Sequence, residues 1–510
     1  MNLHHSTAKL STGAIAFSLA CIIFASCKKN NDPGQMPGMR PDVTFYGLTD
    51  NNRVIKYNAK TAEMPGAALV INGLSEGEKL LSIDFRPATG QLYGLGSSSR
   101  MYFINLNTGT ATPLGTMAFT PALNSDVASL DFNPTVDRVR IVTDKGQNLR
   151  LNPETGGVAA VDGNINGISN ASVASVAYTN SIAGATTTDL YDIDLTSKKL
   201  YKQTPPNDGT LQEVGSIKIN FNGRSGFDIN GDNSVALATF RVGMATKLYM
   251  INLSNAETKY LANLSAEIID IAIPTNAVAY AVSENNMLQI FDPTKSNSAV
   301  GKTITGVITG HTLVGLDFRP ANGQLYGLGV SSTGMGQVYT FNLSSGAAVA
   351  VGAGFAMGKN GTAAGFDFNP TVDRIRVVTT GGQNLRLNPA DGTISATDGD
   401  LNPGTPIVSG AAYTNNFAGA TSTELFVLDN EKLYKQNPPN NGTLVEIGNL
   451  GVSVDEQNGF DIGGTSNNAY ALLTVSGTTK VYSINTATGK ATPSSSFAMK
   501  VNAMAVGLGF

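Results

Sequence analysis

The octapeptide DFNPTVDR spans Asp131–Arg138 and recurs, letter for letter, at Asp367–Arg374. Strand alternation in VDRVRIV, where it ends, sets Arg138 and Arg140 on one face and Val139 and Ile141 on the other. In the following QNLRLNP, Asn148, Arg150 and Asn152 share a face opposite Leu149 and Leu151. Paired as a hairpin, the two runs gather these arginines and asparagines on one sheet face, with Asp131 and Asp137 close enough in sequence to pair with them. The second occurrence supplies Asp367, Asp373, Arg374, Arg376, Asn384 and Arg386 in the same order. Guanidinium forks recognise carboxylate, sulfate or phosphate bidentately, and amides hydrogen-bond sugars, so the chemistry on offer is recognition of a glycan or an anion.

The same residues also have a purely structural use. An arginine buried between packed sheets must find carboxylates or carbonyls, because an unpaired buried charge is expensive. Asp131 and Asn133, just before Pro134, have short polar side chains that hydrogen-bond their own backbone and set a turn. A fold that needs this turn and this polar face twice would keep the octapeptide twice, and that is the expected reason for it.

The elements that must position these residues are repeats. DFRPATGQLYGLG at Asp84 returns as DFRPANGQLYGLG at Asp317; GQNLRLNP at Gly146 returns at Gly382, LYKQ at Leu200 returns at Leu433, and GFDI at Gly226 returns at Gly459. The order and spacing hold along the chain, which is a tandem duplication. Within each copy, short alternating runs such as LSIDF, QLYGLG, RMYFINL and TATPLG are separated by Pro-, Gly-, Asn- and Ser-rich turns. This four-strand plan restarts roughly every 45 residues, the period of a propeller blade.

The expected fold is therefore all-β, a β-propeller of ten four-stranded blade units. The first unit lacks its innermost strand, and VNAMAVGLGF (Val501–Phe510) ends the chain without partners. Pairing the two predicts one closed ring of ten, with the C-terminal strand completing the first blade. Two five-bladed propellers are the alternative. Only Pro274, Thr275 and Asn276 would then join them, a reach of about 10 Å that is awkward for leaving one centre and entering another.

Other motifs offer less chemistry. YTNSIAGATTT and YTNNFAGATST read as long hairpin loops, and PPNDGTL and PPNNGTL as rigid turns. DINGDNS (Asp228–Ser234) alternates oxygen ligands like a calcium loop but lacks the closing glutamate, and DIGGTSN in the second copy loses two candidate ligands. A turn is expected there, with no metal and no other cofactor. His311 reads as a surface or turn residue. No cysteine nucleophile, HExxH, GxSxG or phosphate-cradling loop occurs. A carboxylate pair on the central face of a propeller could still hydrolyse glycosides, although the sequence nominates no pair.

Charged residues make up 14% of the 510 residues, and the formal charge is −4 with no basic run, which argues against nucleic acid as a partner. At the N-terminus, Lys9 precedes an apolar run from Ala14 to Phe24 that is shorter than the roughly 20 residues of a membrane span. FASC, ending at Cys27, resembles the lipobox of bacterial lipoproteins, with Phe24 where Leu is more usual. The expected organisation is a signal peptide over 1–26, a lipidated Cys27 with a flexible tether to 42, and propeller copies over 43–275 and 276–510. Cys21 and Cys27 are the only cysteines, so a chain lipidated at Cys27 carries no disulfide.

Taken together, DFRPATGQLYGLG, DFNPTVDRVRIV, GQNLRLNP, AYTNSIAGATTT, PPNDGTL and GFDI resemble the bacterial family called domain of unknown function 4394, across both copies. That resemblance implies a secreted or surface protein and carries over no catalytic residue. The reading is a lipid-anchored protein of the bacterial outer membrane or cell surface, non-catalytic, that binds or scaffolds a glycan, anionic or protein ligand. A glycoside-active enzyme is the second reading.

Overall fold

The computed structural model describes Met1 and residues 39–510, apart from 296–298, 359–363 and 456–457. Cys27 and the rest of the signal segment beyond Met1 lie outside the described residues. Ten four-stranded antiparallel sheets account for nearly all of the regular structure, with only three single-turn 3-10 helices among the described residues.

Each sheet runs from a buried strand to an exposed one, and eight of the ten are simple meanders. In the third sheet the chain passes from Ala128–Asn133 through Arg138–Thr143 and Asn148–Leu151 to Val158–Val161. The innermost strands are covered on both faces, so they read as continuous runs of apolar and small residues. The outermost strands, such as Val158–Val161, alternate between half-buried and exposed. Neighbouring sheets pack face to face: Leu130, Phe132, Val139, Ile141, Leu149 and Leu151 meet Tyr93, Leu95 and Phe103 of the sheet before them. Each such side chain contributes about 1.5–3 kcal/mol by leaving water.

The innermost strands of the first copy are neighbours in a cycle. Leu80–Phe85 lies beside Ala128–Asn133, then come Val173–Tyr178, Gly226–Ile229 and Ile268–Ala272, and the last lies beside Leu80–Phe85 again. In the second copy His311–Arg319, Ala364–Asn369, Gly410–Tyr413, Asn458–Ile462 and Val501–Val506 follow one another in the same way.

The strand that completes the first sheet is not the one expected. Ile268–Ala272 pairs antiparallel with Thr44–Thr49, placing Ile271 opposite Gly47. Val501–Val506 pairs instead with Ala279–Ser283, placing Met504 opposite Ala281. A single ring with the C-terminal strand on the first blade is thereby overturned, since each copy completes its own first sheet.

The short connection at Pro274–Asn276 suffices because the turn-bearing faces of the two copies abut. Arg86 Nη1 donates to Gly323 O at 3.0 Å, Tyr280 Oη to Ala88 O at 3.0 Å, and Gly509 N to Thr89 O at 2.9 Å. The chain leaves one centre on the face where it enters the other. Gly90 sits at this seam with φ +71, and a Cβ there would lie 2.3 Å from the Phe510 ring.

Candidate functional site

DFNPTVDR builds a turn between an innermost strand and the next. Asn133 Oδ1 accepts from Thr135 N at 3.0 Å and Thr135 Oγ1 at 2.7 Å, and Asp137 takes a left-handed φ of 50°. Asn369, Thr371 and Asp373 (φ 51°) repeat the geometry. Short polar side chains tolerate this conformation best, which accounts for the composition of the octapeptide.

Register then sets Asp131, Arg140 and Arg150 in one row across three strands. Arg140 is buried and fully engaged. It donates to Asn148 Oδ1 at 2.7 Å, Asp162 Oδ2 at 2.6 Å, Asn207 Oδ1 at 2.8 Å and the Tyr178 hydroxyl at 3.3 Å. Arg150 grips Asp162 with both arms of its fork, at 2.7 and 2.8 Å. Asn148 closes the network on Gly163 O at 3.0 Å and Pro206 O at 3.1 Å. Burial pushes the Asp162 carboxyl up, but Arg150 and Arg140 outweigh it and hold the group below the usual carboxylate range. Because Asn207 and Pro206 belong to the PPND turn of the next sheet, the network fastens one sheet to its neighbour. Arg376, Asn384, Arg386, Asp398, Asn440 and Tyr413 repeat it in the second copy. PPNDGTL, which reads from sequence as a turn without chemistry, thus supplies a partner to the buried arginine.

Two of the sequence pairings differ from expectation. Asp137 pairs with neither Arg138 nor Arg140 through its carboxylate; it receives Arg86 of the preceding sheet, Nε at 2.9 Å and Nη2 at 2.5 Å. Asp131 stands opposite Arg140 in register, yet its carboxylate accepts Tyr178 N at 3.0 Å and turns to the centre of the copy. In both cases the partner comes from an adjacent sheet, which a single strand cannot reveal.

Arg138 and Arg374 stay outside the network, each donating Nη1 to the carbonyl of the preceding aspartate at 2.8 Å. In the second copy Arg374, Arg376, Arg386 and Tyr413 line an open cavity of about 270 Å³, walled by Val372 and Pro439. In the first copy the half-buried Glu154 accepts from Arg86 at 3.3 Å and lies close to Arg138. The second copy has Ala390 at the corresponding position.

A second constellation escaped the sequence reading. Asp84, Asp131 and Asp228 bring carboxylate oxygens within 4.8 Å of one another at the centre of the first copy, and Asp317, Asp367 and Asp461 do so in the second. All six are buried. Backbone amides hold them: Phe132 N donates to Asp84 at 2.9 Å and Ile273 N to Asp228 at 2.5 Å, and Ile83 N holds the neighbouring Asp270 in the same way at 2.9 Å. Burial, reinforced by neighbouring carboxylates, raises Asp84, Asp131, Asp317 and Asp367 well above their ordinary range. Burial likewise lifts Asp228 to about 8, and Asp270 and Asp461 to about 7. The signal was present in IDFRP, LDFNP, FDIN and IDIA: an aspartate holds the same position in four innermost strands, and a cycle of strands brings that position together.

Asp228 thus opens DINGDNS as a member of the central cluster. Asp232 binds Ser234 within the turn, Oδ1 accepting Ser234 N at 3.0 Å. His311 Nδ1 lies 3.3 Å from the Tyr339 hydroxyl. The two long loops meet the opposite copy, Gly184 against Ile290 and Val300, and Phe417 and Ala418 in a cavity shared with Phe103 and Thr112.

With this geometry in view, comparison with known proteins is informative about ancestry. The family described as Domain of unknown function (DUF4394) matches twice, over residues 44–272 and 287–507. The chain belongs to this family. It carries two tandem copies of the domain, on a propeller-like all-β fold. None of the curated proteins matches the chain. Among solved structures, the extracellular domain of a one component system, BT4673, from B. thetaiotaomicron is 13% identical, with 88% of this chain and 58% of that one covered at a TM-score of 0.24. The Dos1 propeller is 13% identical, covering 65% and 85% at 0.24. PorZ, a surface component of the type-IX secretion system of Porphyromonas gingivalis, is 14% identical, covering 89% and 65% at 0.26. The chain spans less than two thirds of the first and third of these, and likeness at this level says nothing of activity.

Proposed function

We propose that the chain is an exported, lipid-anchored surface protein made of two five-bladed propellers, which binds and does not catalyse. Its ligand site is the cavity of the second copy, and the ligand is a small anionic glycan or a related carboxylate or sulfate. The observation that carries this reading is the pairing of an open cavity of about 270 Å³ with Arg374, whose guanidinium bonds the Asp373 carbonyl and, among the described residues, no carboxylate. Arg386 at its edge and the Tyr413 ring add the planar and hydrogen-bonding surface that sugars use. The glycosidase alternative gains little, because the central carboxylates are buried and bonded to backbone amides.

A thermal-shift screen of the full chain against uronic acids, sulfated sugars and neutral sugars tests the proposal. A ligand specific to the folded state raises the melting temperature with ln(1 + [L]/Kd). An acidic or sulfated sugar is expected to shift wild type and Arg138→Ala alike, and to lose its effect in Arg374→Ala. A panel without effect, or a shift that survives Arg374→Ala, rules the cavity out.

A further inference from the structure

The centre of the second copy holds more than a cluster of acids. Asn416, from the loop YTNNFAGATST, is 1% exposed and its side chain bonds the Asp317 carboxylate. Its carbonyl Oδ1 is buried with no donor among the described residues. The position is Ser181 in the first copy.

Five backbone amides point at the three carboxylates. Asp317 accepts Phe318 N at 2.6 Å and Phe368 N at 2.7 Å; Asp461 accepts Ile462 N at 2.6 Å and Val506 N at 2.5 Å; Asp367 accepts Tyr413 N at 3.0 Å. Amide donors favour the ionised form of a carboxylate, yet among the described residues no lysine, arginine or histidine pairs with any of the three. Asp367 and Asp461 also bond to each other, carboxyl to carboxyl, and the oxygens retain lone-pair capacity beyond these bonds. Three carboxyl groups held by the backbone, without a cationic side chain and in contact with Asn416, need a positive charge, either protons or an ion, to share so small a space.

We propose that Asp317, Asp367, Asp461 and Asn416 Oδ1 bind a divalent cation on the axis of the second copy. An all-oxygen set with three carboxylates suits a hard ion that accepts irregular geometry, which favours calcium over magnesium and disfavours zinc. The ion locks the innermost strands that supply its ligands, so its role is structural.

The test is calcium binding by the chelator-treated full chain, read by elemental analysis, titration calorimetry and melting temperature. Wild type is expected to take up calcium and melt several degrees higher with it. Asn416→Ala should weaken binding by about tenfold or more while still folding. Asp461→Asn should abolish the calcium response and lower the melting temperature of the metal-free protein, because the amide nitrogen cannot accept the second of the two backbone N–H bonds that Asp461 receives. Wild type that retains no calcium and melts alike with calcium and with chelator would show that protons alone neutralise the cluster. Binding that survives unchanged in both variants would place the ion elsewhere, and either result overturns the proposal.

Discussion

The two copies share a fold and differ most along their centres. In the first copy, serines line the innermost strands and are paired: Ser82 with Asp270 at 2.5 Å, Ser129 with Val176 N at 3.1 Å, and Ser175 with Ser225 at 3.0 Å. In the second copy Gly315, Gly365 and Gly410 replace the first three, and Asn458 replaces Ser225. Ala503 and Asn502 stand where the first copy has Asp270 and Ile269, as the strand registers show. The amide oxygens of Asn458 and Asn502 are buried without donors. Strands packed this closely leave no room for restoring the serine, since a Cβ on Gly315 would lie 2.4 Å from Phe366 Cβ. One centre satisfies itself with hydroxyls; the other is tighter and leaves carbonyl oxygens unmatched. Duplication kept the sheets and freed the axis to diverge.

The largest effect should come from removing Val501–Phe510. That strand completes the sheet of Ala279–Ser283, and its loss opens the second copy while Ile268–Ala272 still completes the first. Limited proteolysis of the truncated chain is expected to digest the second copy and leave a resistant fragment near residues 43–275. A chain whose first copy becomes the more sensitive half would reinstate the single ring.

That ring marks the boundary of what the sequence displays. Strands, turns, blade period and duplication follow from alternation and from Gly, Pro and Asn placement, which act over a few residues. The polar network was half visible: Arg140 and Arg150 share a face by alternation alone, but Asp162 and Asn207 come from a turn and from another sheet. Closure was misread because it depends on which faces of the two copies meet. No local pattern encodes that. The central aspartates were visible only to someone who already knew which strands are innermost.

A smaller effect tests whether the networks are equivalent. Arg140 and Arg376 make matching bonds, 2.7 Å to Asn148 or Asn384 and 2.6 Å to Asp162 or Asp398. Arg140→Met and Arg376→Met should each cost about 3–5 kcal/mol in denaturant unfolding, since a buried carboxylate loses a partner. Lysine should restore little, because a point charge cannot span four acceptors. Unequal losses would mean that the cavity beside Arg376 alters the second network.

The smallest effect concerns a difference away from the axis. Asp192 is fully buried and, among the described residues, neither carboxylate oxygen has a partner, whereas the second copy has the buried Val427 in its place. Burial raises the Asp192 carboxyl well above its ordinary range, opposed by Arg140 and reinforced by Asp194. The folded state therefore holds this proton to higher pH than the unfolded chain, whose aspartates titrate near pH ~4. Stability from this group is fully present below that value and is lost as pH rises through the folded pKa. Asp192→Val removes the loss, so at pH 8 it should stabilise the chain by about 1–3 kcal/mol, the cost of an unsatisfied buried polar group. The central aspartates drift in the same direction with pH in both proteins, so the informative quantity is the difference in melting temperature between variant and wild type. It should be large at pH 8 and shrink towards pH 5; a difference that is constant with pH would mean that valine acts through packing alone.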